Sequence, residues 1–337
     1  VEKPYPPVEY QQYLDLARLL SSQHPKSDEY GRPAHDELLF IVVHQVYELW
    51  FKQVLHELDS VIALFREDSV DERKIGVAVS RLARVTEIQK LLVDQLRVLE
   101  TMTPLDFLDF RDMLLPASGF QSRQFRLIEG RLGVRRGETS LFDLVEKWLE
   151  RTPFLELPGF QFWASYRAAV ERMLGDDRRT IETHPALTDE ERAVQLAELD
   201  RTRASFEALL DEPTHERLRA EGSRRLSHRA TLAALLINLY RDQPILHLPF
   251  RFLTLLVDVD EGLATWRYRH ALMVHRMIGT KIGTGGSSGH HYLMSTVEKN
   301  KVFSDLFNLS TFLIPRSALP DLPPDLERRL GFYFPRE

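Results

Sequence analysis

The chain contains no cysteine. That absence removes disulfides, thiolate nucleophiles, Cys-based zinc sites, iron–sulfur clusters, c-type haem attachment and thiolate-ligated haem. Any metal must then be held by His, carboxylate, Tyr or Met, and 12 His are available. Positive charge is not in excess: 44 Lys+Arg against 50 Asp+Glu give a formal charge of −6, which argues against a general nucleic-acid binder. No uninterrupted apolar stretch reaches about 18 residues, and the first residues carry no charged start, apolar run and small-residue cleavage site. These absences lead to the expectation of a cytoplasmic chain without a membrane span. Alternating runs long enough to build a sheet are missing, as is an internal repeat of fixed period.

What is present is globular and helical. Of 337 residues 43% are hydrophobic and 28% charged, a composition able to bury a core. Tyr10, Tyr13, Leu14, Ala17 and Leu20 form a helical stripe, so a first helix is expected from about Val8 to Ser22. Asp36 is a plausible N-cap for a long helix whose apolar face carries Phe40, Val43, Tyr47, Phe51 and Val54. Asp71 opens another, with Ile75, Ala78, Leu82, Val85, Leu92, Leu96 and Leu99 in a 3,4 alternation broken only at Gln89, the mark of packing against a neighbouring helix. Thr103-Pro104 stops it, a short helix over 105–114 follows, and Pro116-Ala117-Ser118-Gly119 reads as a turn. Further helices are expected near 122–131, 140–151, 160–174, 188–220, 224–240, 249–278 and 301–314. Residues 176–222 are dense in charge and read as a protruding helical excursion. The tail 315–337, with Pro320, Pro323 and Pro324, is expected to wrap the surface. The fold class is all-α, a single domain over 1–337.

Two histidines stand on apolar helix faces. His270 shares its face with Trp266, Met273, Val274 and Met277, whereas His275 points roughly 140° away. His44 has Phe40, Tyr47 and Phe51 at i−4, i+3 and i+7. Each could be a core histidine satisfied by a neighbour, or an axial ligand to a flat apolar cofactor, since haem takes one imidazole in an otherwise apolar wall. The run Gly279–Gly289 could present backbone N–H groups to an anion or simply link two helices. It is neither a P-loop nor a dinucleotide fingerprint. Arg111, among Phe107 and Phe110, could fork onto a carboxylate or pair with Asp106, Asp109 or Asp112. The remaining histidines form no HExxH, and no nucleophile elbow supports a serine triad.

Several segments together resemble the tryptophan 2,3-dioxygenase family. They are His35-Asp36-Glu37-Leu38-Leu39-Phe40, His44-Gln45-Val46-Tyr47-Glu48-Leu49-Trp50-Phe51-Lys52-Gln53, Phe110-Arg111-Asp112, Pro116-Ala117-Ser118-Gly119-Phe120-Gln121-Ser122, Trp266-Arg267-Tyr268-Arg269-His270 and the Gly283–Gly289 loop. They span about Tyr10 to Pro315 in the family's order. The resemblance implies a multi-helix haem-binding domain of the tryptophan/indoleamine dioxygenase type, holding one haem b per subunit in a homotetramer. It further implies insertion of both O₂ atoms across the indole C2–C3 bond of L-tryptophan to give N-formyl-L-kynurenine, the first step of tryptophan catabolism. His270 matches the iron ligand, with Trp266 packed beside it, and His44 the distal histidine near the indole N–H. Phe40 and Phe107 match pocket walls, Arg111 the carboxylate grip and Thr284 the contact with the substrate ammonium. Ser118 and Gly119 match the turn over the distal face. Tyr10 and Tyr13, in an inter-subunit segment over 1–22, match residues that reach a neighbouring subunit's pocket. One departure is visible: Gly289-His290 stands where the family is expected to have Gly-Tyr. Relatives on such a scaffold can instead monooxygenate a substituted tryptophan, and the axial His, the Arg and the Gly loop would look the same.

Overall fold

The computed structural model describes residues 5–67, 69–135, 139–157, 160–279, 281 and 289–331. In chain order its helices are α1 (Tyr10–Tyr13), α2 (Leu16–Leu20), α3 (Lys26–Glu29), α4 (Glu37–Phe65), α5 (Glu72–Leu99), α6 (Pro104–Arg111), α7 (Arg123–Leu132) and α8 (Leu141–Glu150). There follow α9 (Phe162–Thr183), α10 (Asp189–Leu210), α11 (Glu212–Ala220), α12 (His228–Leu239), α13 (Pro244–Ile278), α14 (Gly289–Lys299), α15 (Ser304–Asn308) and α16 (Pro324–Leu330). Among the described residues the strands are only β1 (Glu156–Leu157) and β2 (Phe160–Gln161), an antiparallel pair matching Glu156 with Gln161 and Leu157 with Phe160. The fold is all-α.

The chain divides into two compact units. The first comprises Val1–Leu55, Glu87–Leu127 and Gly262–Asn300. Its core takes Val43, Tyr47, Phe51 and Val54 from α4, Ile88, Leu92, Leu96 and Leu99 from α5, and Leu263, Ala271, Met273 and Met277 from α13, all buried. The α4 residues, Leu92, Leu96, Leu99, Met273 and Met277 lie on the expected apolar faces, and Ile88, Leu263 and Ala271 add to them. The Tyr47 hydroxyl, which would be costly to bury unpaired, donates to the Leu92 carbonyl at 2.5 Å. Thr103 and Asp106 close a capping box at the start of α6, with Pro104 in its first turn, where a missing N–H costs nothing. Gly279, at φ +59, ends α13 by returning its N–H to the His275 carbonyl at 2.8 Å, a conformation that favours glycine.

The second unit comprises His56–Thr86, Ile128–Glu261 and Lys301–Glu337. Its centre is α12, whose residues from Ala230 to Ile237 are all buried, as expected of a helix that is apolar around its circumference. Two buried carboxylates tie later chain onto earlier elements. Asp260 accepts from the N–H groups of Val302 and Phe303, and Asp305 accepts from those of Arg225 and Leu226 at 2.7 Å each.

Some boundaries differ from the sequence reading. The helix expected over 8–22 is broken into α1 and α2 at Asp15, which sits at φ 49, a region Asp tolerates better than most residues. The one expected over 188–220 breaks at Asp211, which turns extended and caps α11 by accepting from the Thr214 N–H at 3.0 Å. The helix expected from 249 starts at Pro244, with Pro249 inside its second turn. The segment expected over 301–314 is α15 followed by a 3₁₀ turn over Leu309–Phe312. Among the described helices, α4 is long and apolar enough to cross a membrane by length and mean hydropathy of 1.2, although Glu48 and Lys52 interrupt its apolar run.

Candidate functional site

Helix periodicity places Phe40 one turn before His44 on α4, and the two rings lie 4.1 Å apart. His44 Nδ1 is 2.7 Å from the Phe40 carbonyl oxygen. A carbonyl only accepts, so Nδ1 carries the proton and Nε2 keeps the lone pair. Phe107 and Phe110 of α6 complete an aromatic cluster, with Phe40 5.7 Å and 5.6 Å away and the two α6 rings edge to face at 5.4 Å. Arg111 is the last residue of α6, directly after this cluster.

On α13 the same i, i+4 logic stacks His270 on Trp266, ring centres 5.0 Å apart and planes within 5°. Trp266 is held in turn by Phe125 of α7 at 5.1 Å and by Tyr47 of α4 at 6.1 Å. Phe125 also meets Phe51 at 5.5 Å. His270 Nδ1 is buried with no hydrogen-bond partner among the described residues.

The electrostatics link the two histidines. Burial, with a smaller contribution from the nearby His44, pushes the His270 imidazole down to about 4. His44 is itself lowered, chiefly by desolvation, against the opposing pull of the Phe40 carbonyl and Glu48. It keeps exposed surface, yet enough protein surrounds the ring for desolvation to be the largest influence on it. Both imidazoles are therefore neutral at pH 7 and able to act as lone-pair donors.

The structure thus brings together Phe40, His44 and Phe107 around one aromatic cluster, and Trp266 with His270 around a second. His44 is near enough to His270 for its protonated form to disfavour a second positive charge there. Ser118 and Gly119 lie in the turn after α6, where the Ser118 N–H meets Gln121 Oε1 at 3.3 Å and space is open beside Gly119. Tyr10 and Tyr13 are 72% and 77% exposed. Thr284 and most of the Gly283–Gly289 loop lie outside the described residues. Phe125, which backs Trp266, was missed by sequence reasoning. Its spacing from Ile128 and Leu132 on α7 put it on a buried helix face, but nothing local pointed from that face to Trp266.

A haem group would need a neutral imidazole, an apolar wall and no competing thiolate. His270 offers the first: it is neutral, and its buried Nδ1 has no partner among the described residues. Phe40, Phe107, Phe110, Phe125 and Trp266 offer the second, and the lack of cysteine the third. The residues fit the group. Among the described residues no set of three or more His and carboxylates is grouped to hold a bare metal ion.

The chain is similar to known proteins along nearly its whole length. A family profile described as Tryptophan 2,3-dioxygenase matches residues 5–139 and 136–313. The tryptophan 2,3-dioxygenase of Bdellovibrio bacteriovorus is 56% identical over 357 residues, covering 98% of this chain and 99% of that protein. The like-named proteins of Xenopus tropicalis and Dictyostelium discoideum are 49% and 46% identical, covering 95% and 96% of this chain and 86% and 88% of theirs.

Proposed function

We infer the chemistry of this site from one premise: the chain belongs to the tryptophan 2,3-dioxygenase family. It is an oxidoreductase that adds both atoms of O₂ to L-tryptophan, opening the indole C2–C3 bond to N-formyl-L-kynurenine. The monooxygenase alternative has no observation in its favour.

His270 would hold the iron of haem b, and Trp266, stacked on its ring, would keep the imidazole in one orientation. When bound, ferrous haem supplies the O₂ chemistry, and the protein supplies orientation and a dry site. Phe40 and Phe107 offer the indole an apolar wall. Nε2 of His44 accepts the indole N–H, because Nδ1 is already committed to the Phe40 carbonyl. Arg111 forks onto the substrate carboxylate, the geometry for which a guanidinium is suited. Thr284 would meet the ammonium, and Ser118 with Gly119 would cover the open side. Exposed Tyr10 and Tyr13 suit contact with a neighbouring subunit, in a cytoplasmic homotetramer with shared pockets.

The observation that carries this assignment is the neutral, half-buried His270 imidazole stacked on Trp266, its buried Nδ1 without a hydrogen-bond partner among the described residues. His270→Ala should purify with little bound haem, since neither Met273 nor Met277 occupies its position and no cysteine can replace it. Normal haem content with an unchanged ferrous spectrum would refute it.

A further inference from the structure

The sequence places His275 on a different face of α13 from His270, and the structure gives that face a partner. His275 stands in the last turn of α13, and His290 and His291 open α14. The rings of His275 and His290 are 4.4 Å apart, and those of His290 and His291 are 5.7 Å apart. His275 and His291 are exposed and His290 is half-buried, so solvent ions reach the cluster. His290 Nδ1 lies 3.2 Å from the Ala271 carbonyl oxygen. That contact puts the proton on Nδ1 and leaves the Nε2 lone pair available, the arrangement by which a backbone carbonyl orients a metal-binding imidazole.

We propose that His275 and His290 form a two-imidazole site for a borderline divalent transition cation such as Zn²⁺, with His291 alongside and water completing the coordination. At metal–nitrogen distances of about 2.0–2.1 Å, two imidazoles sharing one cation have ring centres roughly 4.5 Å apart at a right angle and about 5.2 Å at a tetrahedral one. The observed 4.4 Å therefore needs only a small rotation of His275, which its exposure permits. Nitrogen donors exclude Ca²⁺ and Mg²⁺, which take oxygen ligands, and the lack of thiolates disfavours Cu(I). No third ligand is preassembled among the described residues, so the site is a partly hydrated surface clip rather than a closed structural zinc centre. Occupied, it ties the last turn of α13, five residues beyond His270, to the first turn of α14. The departure at His290, where the family resemblance expects tyrosine, supplies half of the donor pair.

The test is zinc titration of the haem-loaded full chain, stripped of metals with a chelator, by calorimetry. One Zn²⁺ should bind per chain, and H275N and H290Y should each weaken binding by about tenfold or more with the haem spectrum unchanged. Binding that is equal in either variant, or not saturable at one equivalent, would mean an adventitious ion only and overturn the site. A check independent of any substitution is the electron paramagnetic resonance of Cu²⁺ added at one equivalent to the unmodified chain. Nitrogen splitting from two imidazoles is expected, and splitting from one refutes the pair.

Discussion

Removing the His44 imidazole separates two roles that differ by orders of magnitude. In one, His44 takes the indole proton as a general base; in the other, it only accepts the N–H hydrogen bond. The geometry favours the second. Nδ1–H is spent on the Phe40 carbonyl at 2.7 Å, so Nε2 is the one lone pair available, and burial holds the ring below the ordinary histidine pKa. A base weakened in this way is a poor match for indole N–H, a very weak acid. Proton transfer would also create an imidazolium that desolvation disfavours and an indole anion beside the Phe40 ring. A neutral hydrogen bond contributes about 0.5–1.5 kcal/mol, roughly two- to thirteenfold. Losing a true general base costs about 10²–10⁴-fold. His44→Ala also strips the neighbour 4.1 Å from Phe40, so some pocket order goes with it. The expected loss in kcat/KM is about ten- to thirtyfold, the hydrogen bond plus part of that repacking. The assay is steady-state formation of N-formylkynurenine by haem-loaded enzyme, run in parallel with 1-methyltryptophan. The methylated substrate should gain from the space left by the ring, and its turnover cannot depend on N–H deprotonation. A loss for tryptophan above about a thousandfold, with no gain for the methylated substrate, would return His44 to the role of base.

Arg111→Leu should weaken tryptophan binding by about ten- to 150-fold, the worth of a charge-assisted bond, while tryptamine, which lacks the carboxylate, barely changes. Equal losses for both ligands in a binding titration would assign Arg111 a structural role instead. Gly262→Ala should destabilise the protein by about 1–3 kcal/mol in urea unfolding, because overpacking outweighs the gain of about 1 kcal/mol in helix propensity. The new Cβ would sit 2.5 Å from Gln89 Oε1, 2.9 Å from its Cδ and 3.3 Å from its Cβ, so moving the amide alone does not clear it. Adding Gln89→Ala should recover part of the loss, and a neutral or stabilising Gly262→Ala would contradict the packing. Acidification should weaken the fold through His215 and His228, both lowered mainly by burial. The unfolded chain binds protons below about pH 6.5 that the native imidazoles refuse, so the stabilisation is present above that pH and is lost as pH falls toward the lowered native values. The slope is up to about 1.4 kcal/mol per pH unit per histidine. Urea midpoints that stay level from about pH 6.5 to 5 would count against it, and His215→Gln should flatten the slope by about one proton.

What could be read locally and what could not divides along one physical line. The period of α5 was legible, including the break at Gln89, but its reason lies on another helix: the amide packs where Gly262 of α13 has no side chain. A local window contains no information about a cavity supplied by a residue far along the chain. The same holds for the two histidines. Each apolar face was visible from spacing, yet the nearness of His44 to His270, and the Phe125 ring behind Trp266, depend on helices that meet only in the folded chain. Breaks at Asp15 and Asp211 escaped notice because aspartate reads equally well as a solvated helix residue and as a cap. The tyrosine stripe of the N-terminal segment shows the opposite case. Its periodicity was real, but Tyr10 and Tyr13 stand 72% and 77% exposed, so among the described residues little covers that face. An apolar face in that condition is unfinished, which is what the shared pocket of an oligomer requires. A deletion of 1–22 that stays haem-loaded and keeps full turnover would remove that requirement.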